Sequence, residues 1–364
     1  MINEFAEIVS VDSESFHERE IADLLTKKLK ELGFDVYEDN AGEYYGGNAG
    51  NLYGFLKGNS DKEPILFSSH MDTVAPGIGK KAIIHSDATI TSGGNTVLGS
   101  DDAAGLTEIL EGIRSIIESG IPRGDIEVLF PIAEEVYLKG TDRFDFNRIK
   151  AKRAYVLDVS GDIGSAVVKA PSLVSFRATV IGRAAHAGFS PENGINAIAI
   201  ASEAVASLEQ GRIDDETTFN IGTVSGGTAT NIVSEKCTVF GEVRSFDHEK
   251  ALSQIKKLRK AFSDAASGTG ADIDIEAVVN FKAYSLEEHS PVAEKFLEAC
   301  SRIGIEGKLI KTFGGSDNHN FMKNGIDGTV ISCGMYNVHS VQEYTKIDEI
   351  LNGAKLVAQL IIDA

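Results

Sequence analysis

The stretch PILFSSHMDTV, Pro64–Val74, decides how the chain is read. Its first half is an apolar run ending in two serines. Its second half opens with a histidine and an aspartate two residues apart. A run with no polar alternation suits a strand covered on both faces, as in a parallel sheet flanked by helices. Three further stretches share that character: IEVLFPI (Ile126–Ile132), AYVLDV (Ala154–Val159) and GTVISCG (Gly328–Gly334). Helical patterns lie between and around them. Ile21, Leu24, Leu25, Leu29 and Leu32 recur at helical spacing over Glu18–Leu32, and Gly33 follows as a stop. Leu106, Ile109, Leu110, Ile113 and Ile117 form one stripe over Ala103–Ser119, and a further helix falls near Pro291–Ile303. Strands alternating with helices predict an α/β fold with a mostly parallel sheet flanked by helices.

The middle third has a different rhythm. SLVSFRATVIG (Ser172–Gly182) alternates like a strand with one exposed face, and the helical segment Asn196–Gly211 follows. Two strand patterns, TFNIGTVSGG and CTVFGEVRSFD, precede the helical KALSQIKKLRKAFSDAAS and a last strand, DIDIEAVVNFKAY. That order is the ferredoxin-like β-α-β-β-α-β unit. It predicts a second domain over residues 170–282, inserted into a first domain made of residues 1–169 and 283–364.

Composition limits the function. Among 364 residues, 54 are Asp or Glu and 35 are Lys or Arg, a formal net charge of −19. Nucleic-acid binding needs a basic face, and so does a polybasic membrane anchor, so neither partner is expected. No apolar run is long enough to span a bilayer, and the acidic opening lacks the pattern of a secretory signal. Cys237, Cys300 and Cys333 are too few and too scattered for a disulfide framework or a CxxC metal site. They read as small buried hydrophobes in a reducing cytoplasm.

The chemistry-bearing residues sit where the strands end. His70 and Asp72 follow the first run, and in an extended segment they point to the same side. A metal-binding histidine needs a partner for its other ring nitrogen, so the pair suits one ligand and one orienting group. A solvated HxD at a strand end would look the same. Asp101 and Asp102 lie in GSDDAAG (Gly99–Gly105) ahead of the helical stripe, where they fit either a helix N-cap or a carboxylate bridging two cations. Glu134 and Glu135 follow IEVLFPIA; they are either a solvated loop or a ligand beside a general base. Asp158 closes the run AYVL, and His339 lies five residues past Gly334. In open α/β sheets ligands bind at the C-terminal strand ends. Two imidazoles and three or more carboxylates there suit two divalent ions, Zn²⁺ first and Co²⁺ or Mn²⁺ after it.

HMDTV, GSDDAAG, AEE (Ala133–Glu135), LDVSG (Leu157–Gly161) and MYNVHS (Met335–Ser340) occur in the order found in the co-catalytic zinc peptidases. That family includes peptidase T, carnosinase, acetylornithine deacetylase and succinyl-diaminopimelate desuccinylase. The chain resembles it over almost its whole length, and most of all the peptidase T branch.

The resemblance implies a role for each matching position. His70 and Asp158 would hold one zinc, Glu135 and His339 the other, and Asp101 would bridge them, with the peptide bond after it commonly cis in the family. Asp72 would orient His70, and Glu134 would be the general base. The inserted domain resembles the family's lid and dimerisation domain. In it His186 resembles the histidine that reaches a partner subunit's active site. Asn231 and Arg244 resemble residues that grip the substrate, Arg244 through a carboxylate. Two departures stand out. VYLKG follows the acidic pair where the family more often has a glycine. His319, in GGSDNHNF, competes with His339 as a ligand, and the YNVH context favours His339.

The expected enzyme is therefore a cytoplasmic dinuclear-zinc aminopeptidase, a homodimer through its lid. It would remove the N-terminal residue of short peptides with a metal-bridged hydroxide. Asp158 supports that choice, because carboxypeptidase-type relatives carry Glu at its position. The alternatives are a deacylase of N-acyl amino acids and a non-catalytic peptide-binding relative.

Overall fold

The computed structural model describes residues 1–287 and 289–364. The chain divides into two compact units. The first comprises Met1–Val168, Leu286–Lys311 and Ser316–Ala364; the second comprises Lys169–Ser285 and Thr312–Gly315.

The four apolar runs become four adjacent parallel strands of the first unit. In spatial order they are Ile126–Phe130, Ile65–Ser68, Arg153–Val159 and Asp327–Ser332. Every residue of Ile65–Ser68 and of Ile126–Phe130 is buried, which is why neither run alternates. The sheet is mixed at its flanks. Leu52–Leu56 joins Ile126–Phe130 antiparallel, with Asp35–Glu38 outside it, and Ser165–Ala170 joins Asp327–Ser332 antiparallel. Parallel pairing puts Ser68 level with Leu129 and Val156, and Ile331 level with Leu157. The C-terminal ends of all four strands therefore share one edge.

Helices Arg19–Glu31, Ser100–Ser119, Pro291–Arg302 and Ile347–Asp363 pack on this sheet. Leu25, Ile109, Phe296 and Val357 bury in one apolar cluster with Phe67, Val128, Tyr155 and Ile331. At roughly 1.5–3 kcal/mol per fully buried large side chain, this cluster is the main stabilising element of the unit. Gly105, in the first turns of Ser100–Ser119, allows that helix to approach closely. A Cβ there would stand 2.6 Å from Asp102 Oδ1 and 2.7 Å from the Leu157 carbonyl oxygen.

The second unit is a five-stranded antiparallel sheet in the order Gly211–Asp214, Thr217–Gly226, Lys236–Ser245, Ser172–Ile181, Asp272–Phe281. Four of these strands follow the ferredoxin-like order, and short Gly211–Asp214 adds an edge that sequence patterning does not show. Helices Ala197–Ala206 and His248–Ala266 start at Asn196 and Asp247, whose side chains accept the first free amides. Ile200, Ile255, Leu258 and Phe262 close a separate core against Val174, Phe176 and Val239. All three cysteines are free and buried. Among the described residues no helix is long and apolar enough to cross a membrane.

Candidate metal centre

The shared strand edge gathers the acidic and imidazole groups. His70 and Asp72 follow Ser68, Asp158 stands near the end of Arg153–Val159, and Glu134 and Glu135 follow Phe130 by a short loop. Asp101 comes from the segment entering helix Ser100–Ser119, where Asp101 and Asp102 depart from helical geometry and the bond between them is cis.

Asp101 stands at the middle. Its Oδ1 lies 3.0 Å from His70 Nε2, and its Oδ2 lies 3.2 Å from His339 Nε2. His339 Nε2 is also 3.0 Å from Glu135 Oε1, and His70 Nε2 is 3.8 Å from Asp158 Oδ1. Two sets of donor atoms fall within 4.8 Å of one another: His70, Asp102 and Asp158, and His70, Asp101 and Glu135. The His70 ring is fixed in tautomer. Its Nδ1 lies 2.9 Å from the Asp72 carbonyl oxygen, which can only accept, so Nδ1 donates and Nε2 keeps its lone pair for a ligand.

Asp72 does more than face His70. Its carboxylate accepts from Ser15 Oγ at 2.7 Å, from the Glu134 amide at 2.9 Å and from the Glu135 amide at 3.2 Å. It thereby ties the histidine loop to the acidic loop. That acidic loop turns without glycine. Ala133, Tyr137 and Leu138 take φ of 51°, 73° and 58°, a region that L-residues enter at a cost. His339 also has a positive φ, 61°. Such conformations persist where the surroundings hold them, and here they ring the site.

The electrostatics show an excess of buried negative charge. Burial drives Glu134, Asp158 and Asp102 well above the usual carboxylate range, and neighbouring carboxylates push them further. Asp101 goes the other way, held low against its burial by the His339 and His70 imidazoles beside it. Asp101 and Glu135 in turn raise His339 to about 10. Positive charge is what this cluster lacks. Mixed imidazole and carboxylate donors of this kind fit borderline divalent cations such as Zn²⁺.

His319 joins neither donor set. It is buried in the helix Asn318–Lys323, and its Nδ1 stands 3.0 Å from the Ser316 carbonyl oxygen. Sequence reasoning missed Glu343. This buried acid accepts from the Gly99 amide at 2.8 Å, Ser100 Oγ at 2.7 Å and the Asp101 amide at 3.0 Å, so it positions the segment that carries Asp101. A lone glutamate in VQEYT carries no periodic signal; only its nearness to His339 marked it.

His186, Asn231 and Arg244 belong to the second unit. His186 is exposed, and its ring stacks on Phe189 with centroids 4.2 Å apart. Its Nδ1 accepts from the amides of Gly188 at 3.1 Å and Phe189 at 3.2 Å, so the neutral ring carries its proton on Nε2 and offers it outward. Asn231 lies beside it, its carbonyl accepting from the Ala187 amide at 3.0 Å. The Arg244 fork is engaged within its own unit, by Glu242 Oε1 at 2.7 Å and the Phe313 carbonyl oxygen at 2.8 Å.

Comparison with known proteins decides the family. The model described as "Peptidase dimerisation domain" of the M20 type matches residues 169–269, and "Peptidase family M28" matches residues 51–201. The Bacillus subtilis (strain 168) protein YqjE is 38% identical over 364 residues, covering 100% of this chain and 98% of that protein. An aminopeptidase PepT structure from Bacillus cereus ATCC 10987 superposes with a TM-score of 0.90 at 40% identity, over 100% of this chain and 97% of that one. The chain belongs to the M20 peptidase family, near peptidase T. A tripeptidase structure from Staphylococcus aureus subsp. aureus Mu50 agrees, with a TM-score of 0.94 at 33% identity over 99% of this chain and 96% of that one. As an M20 peptidase it is a metallopeptidase, and the donor clusters described above are its candidate metal site.

Proposed function

We propose that this M20 peptidase is a dinuclear-zinc aminopeptidase that removes the N-terminal residue from short peptides. One observation carries the reading. The two oxygens of Asp101 face two different histidines, at 3.0 and 3.2 Å, as a bridge between two cation sites requires. His70 and Asp158 would hold one ion, Glu135 and His339 the other, with Asp101 shared. Two such ions supply Lewis acidity, activating water and polarising the scissile carbonyl. Glu134, buried beside the donor set, takes the proton of the attacking water and delivers it to the leaving amine nitrogen. Asp72 keeps His70 in the ligating tautomer and holds the Glu134–Glu135 loop. Asn231 and Arg244 bind substrate, and Arg244 must then exchange its bond to Glu242 for the peptide carboxylate.

Residues 1–169 and 283–364 are the catalytic domain in this reading, and 170–282 form the lid through which two copies pair. The dimerisation-domain match and the exposed Val224, Phe240 and Val278 support pairing. His186 would donate from Nε2 to the substrate carbonyl in the partner's site. Three buried, unpaired cysteines support a cytoplasmic setting. The two solved relatives are an aminopeptidase and a tripeptidase, which supports a peptide over an N-acyl amino acid.

The test combines metal analysis with a substrate panel. The expected result is about two zinc ions per chain and turnover of Ala-Ala-Ala with free alanine released first. Turnover of acetyl- or succinyl-amino acids alone would overturn the peptidase assignment. Glu134→Gln should keep its metal and lose about 10²–10⁴-fold in kcat.

A further inference from the structure

Glu18 is distant in sequence from every group assigned so far, and its side chain is fully buried. Its Oε1 accepts from the Ala133 amide at 3.0 Å and from the Phe16 amide at 2.8 Å. The next two amides of the acidic loop, Glu134 and Glu135, end on the two oxygens of Asp72. Three successive N–H groups are thus caught by two buried carboxylates. An extended chain points alternate amides to opposite sides, so this convergence needs a turn, and Ala133 provides it at φ 51°. An alanine does not rest in that region unaided.

Glu18 is an expensive choice for filling a core. Its Oε2 has no hydrogen-bond partner, and the charge of Asp72 opposes its own. A hydrophobic residue would fill the space without either penalty. The segment that carries Glu18 is anchored to the site on both sides. The Thr73 amide donates to the Ser13 carbonyl at 2.9 Å, the Asn48 amide donates to the Phe16 carbonyl at 3.2 Å, and Ser15 reaches Asp72.

We propose that Glu18 is a positioning residue for catalysis: with Asp72 it clamps the Ala133–Glu135 backbone and so sets where the Glu134 and Glu135 carboxylates stand. The inference rests on the roles given above to those two glutamates. Outer-shell partners of metal ligands are worth about 10–100-fold in metal affinity or activity, and misplacing a reacting group by about 1 Å costs up to about 10²-fold in rate.

The experiment uses the full chain with Glu18→Gln, Glu18→Ala and Glu18→Asp. Glu18→Gln keeps an acceptor oxygen for Ala133 and Phe16, and its kcat on Ala-Ala-Ala should stay within about threefold of wild type. Glu18→Ala should lose about 10–100-fold in kcat with KM within about threefold. A second readout does not need turnover. Co²⁺ titrated into metal-free protein, followed by its visible absorption, should bind Glu18→Ala at least about tenfold more weakly. Amide exchange at residues 133–135 should quicken in the same variant while the central strands stay protected. If Glu18→Ala does not fold, Glu18→Asp, which withdraws the carboxylate by one methylene, should show the same loss in kcat and Co²⁺ affinity. Wild-type kcat and Co²⁺ affinity in a folded Ala or Asp variant would overturn the proposal. A wild-type protein that binds Co²⁺ but cleaves no peptide would sink the peptidase reading instead, and the Co²⁺ and exchange measurements would still judge Glu18.

Discussion

Replacing Gly353 by alanine tests how the C-terminal helix is fitted against the segment that carries Asp101. Gly353 lies inside helix Ile347–Asp363 and faces Glu108 of helix Ser100–Ser119. A Cβ at residue 353 would fall inside the envelope of Glu108 Cδ and both its carboxyl oxygens, well short of the 3.4–4 Å of ordinary contact. Glu108 is fully buried and cannot swing into solvent. Overpacking of this kind costs about 1–3 kcal/mol, while alanine gains about 0.5–1 kcal/mol over glycine inside a helix. The expected net loss for Gly353→Ala is therefore about 1–2 kcal/mol. Glu108 itself is poorly placed. Neither carboxyl oxygen has a hydrogen-bond partner, and burial, with Asp102 and Glu349 nearby, raises its pKa well above the usual carboxylate range. Glu108→Ala opens space for the new methyl group and removes the unpartnered acid. The double variant should therefore be more stable than the sum of the single losses implies, by about 2 kcal/mol. Urea unfolding of metal-free wild type, both single variants and the double variant at pH 7 measures that coupling. A Gly353→Ala protein as stable as wild type would refute the steric reasoning, as would a double variant additive within about 0.5 kcal/mol.

Three further outcomes follow from the site. Burial pushes Asp317 up from 3.8 to about 7. The folded state then holds that proton more tightly than the unfolded chain, so stability falls as pH rises from about 4 to 7, by up to about 4 kcal/mol at 1.36 kcal/mol per pH unit. Asp317→Asn should remove this slope; urea midpoints for metal-free wild type and variant that stay parallel between pH 5 and 7.5 would contradict it. Chelation should abolish turnover and lower the unfolding temperature, because metal at about 100 times its Kd adds about 2.7 kcal/mol to the folded state; calorimetry with and without chelator reads the shift. His186→Ala should lose about 10²–10³-fold in kcat at unchanged metal content, and mixing it with Glu134→Gln should partly restore activity. No recovery after subunit exchange would place His186 in its own subunit's reaction or in none.

What could be read beforehand divides along physical lines. The four parallel strands were legible because a strand buried on both faces must be apolar throughout, and PILFSS, IEVLF, AYVL and GTVIS are. The flanking strands Asp35–Glu38 and Leu52–Leu56 carry no such mark, because the first is four residues of mixed polarity and the second a five-residue run interrupted by Gly54. The clustering of candidate donors was legible because each follows a buried run at a predictable strand end, which is where His70, Asp158 and Glu135 stand. Its supports were hidden. Glu343 and Glu18 act through backbone amides contributed by distant segments, and such bonds leave no mark in local sequence. Glu18 in particular looked like an ordinary helix start ahead of Arg19–Glu31. Arg244 shows a different limit: the motif marks an arginine, and only coordinates reveal that Glu242 already occupies its fork.

The first unit is stitched from three separate segments of chain, and the second is continuous over Lys169–Ser285 apart from a four-residue return. That order has a consequence during synthesis. The inserted unit can fold as it emerges, whereas the hydrolase cannot. Glu135 and His339 are 204 residues apart, and His339 follows the strand Asp327–Ser332 that completes the parallel block. At about 5–20 residues per second, a ribosome needs roughly 10–40 s to pass from one proposed ligand to the other. Through that interval the nascent polypeptide exposes a half-built set of acids with no proteolytic power. With His339 as a ligand, activity waits until residue 339 has been made and the last parallel strand has joined the sheet.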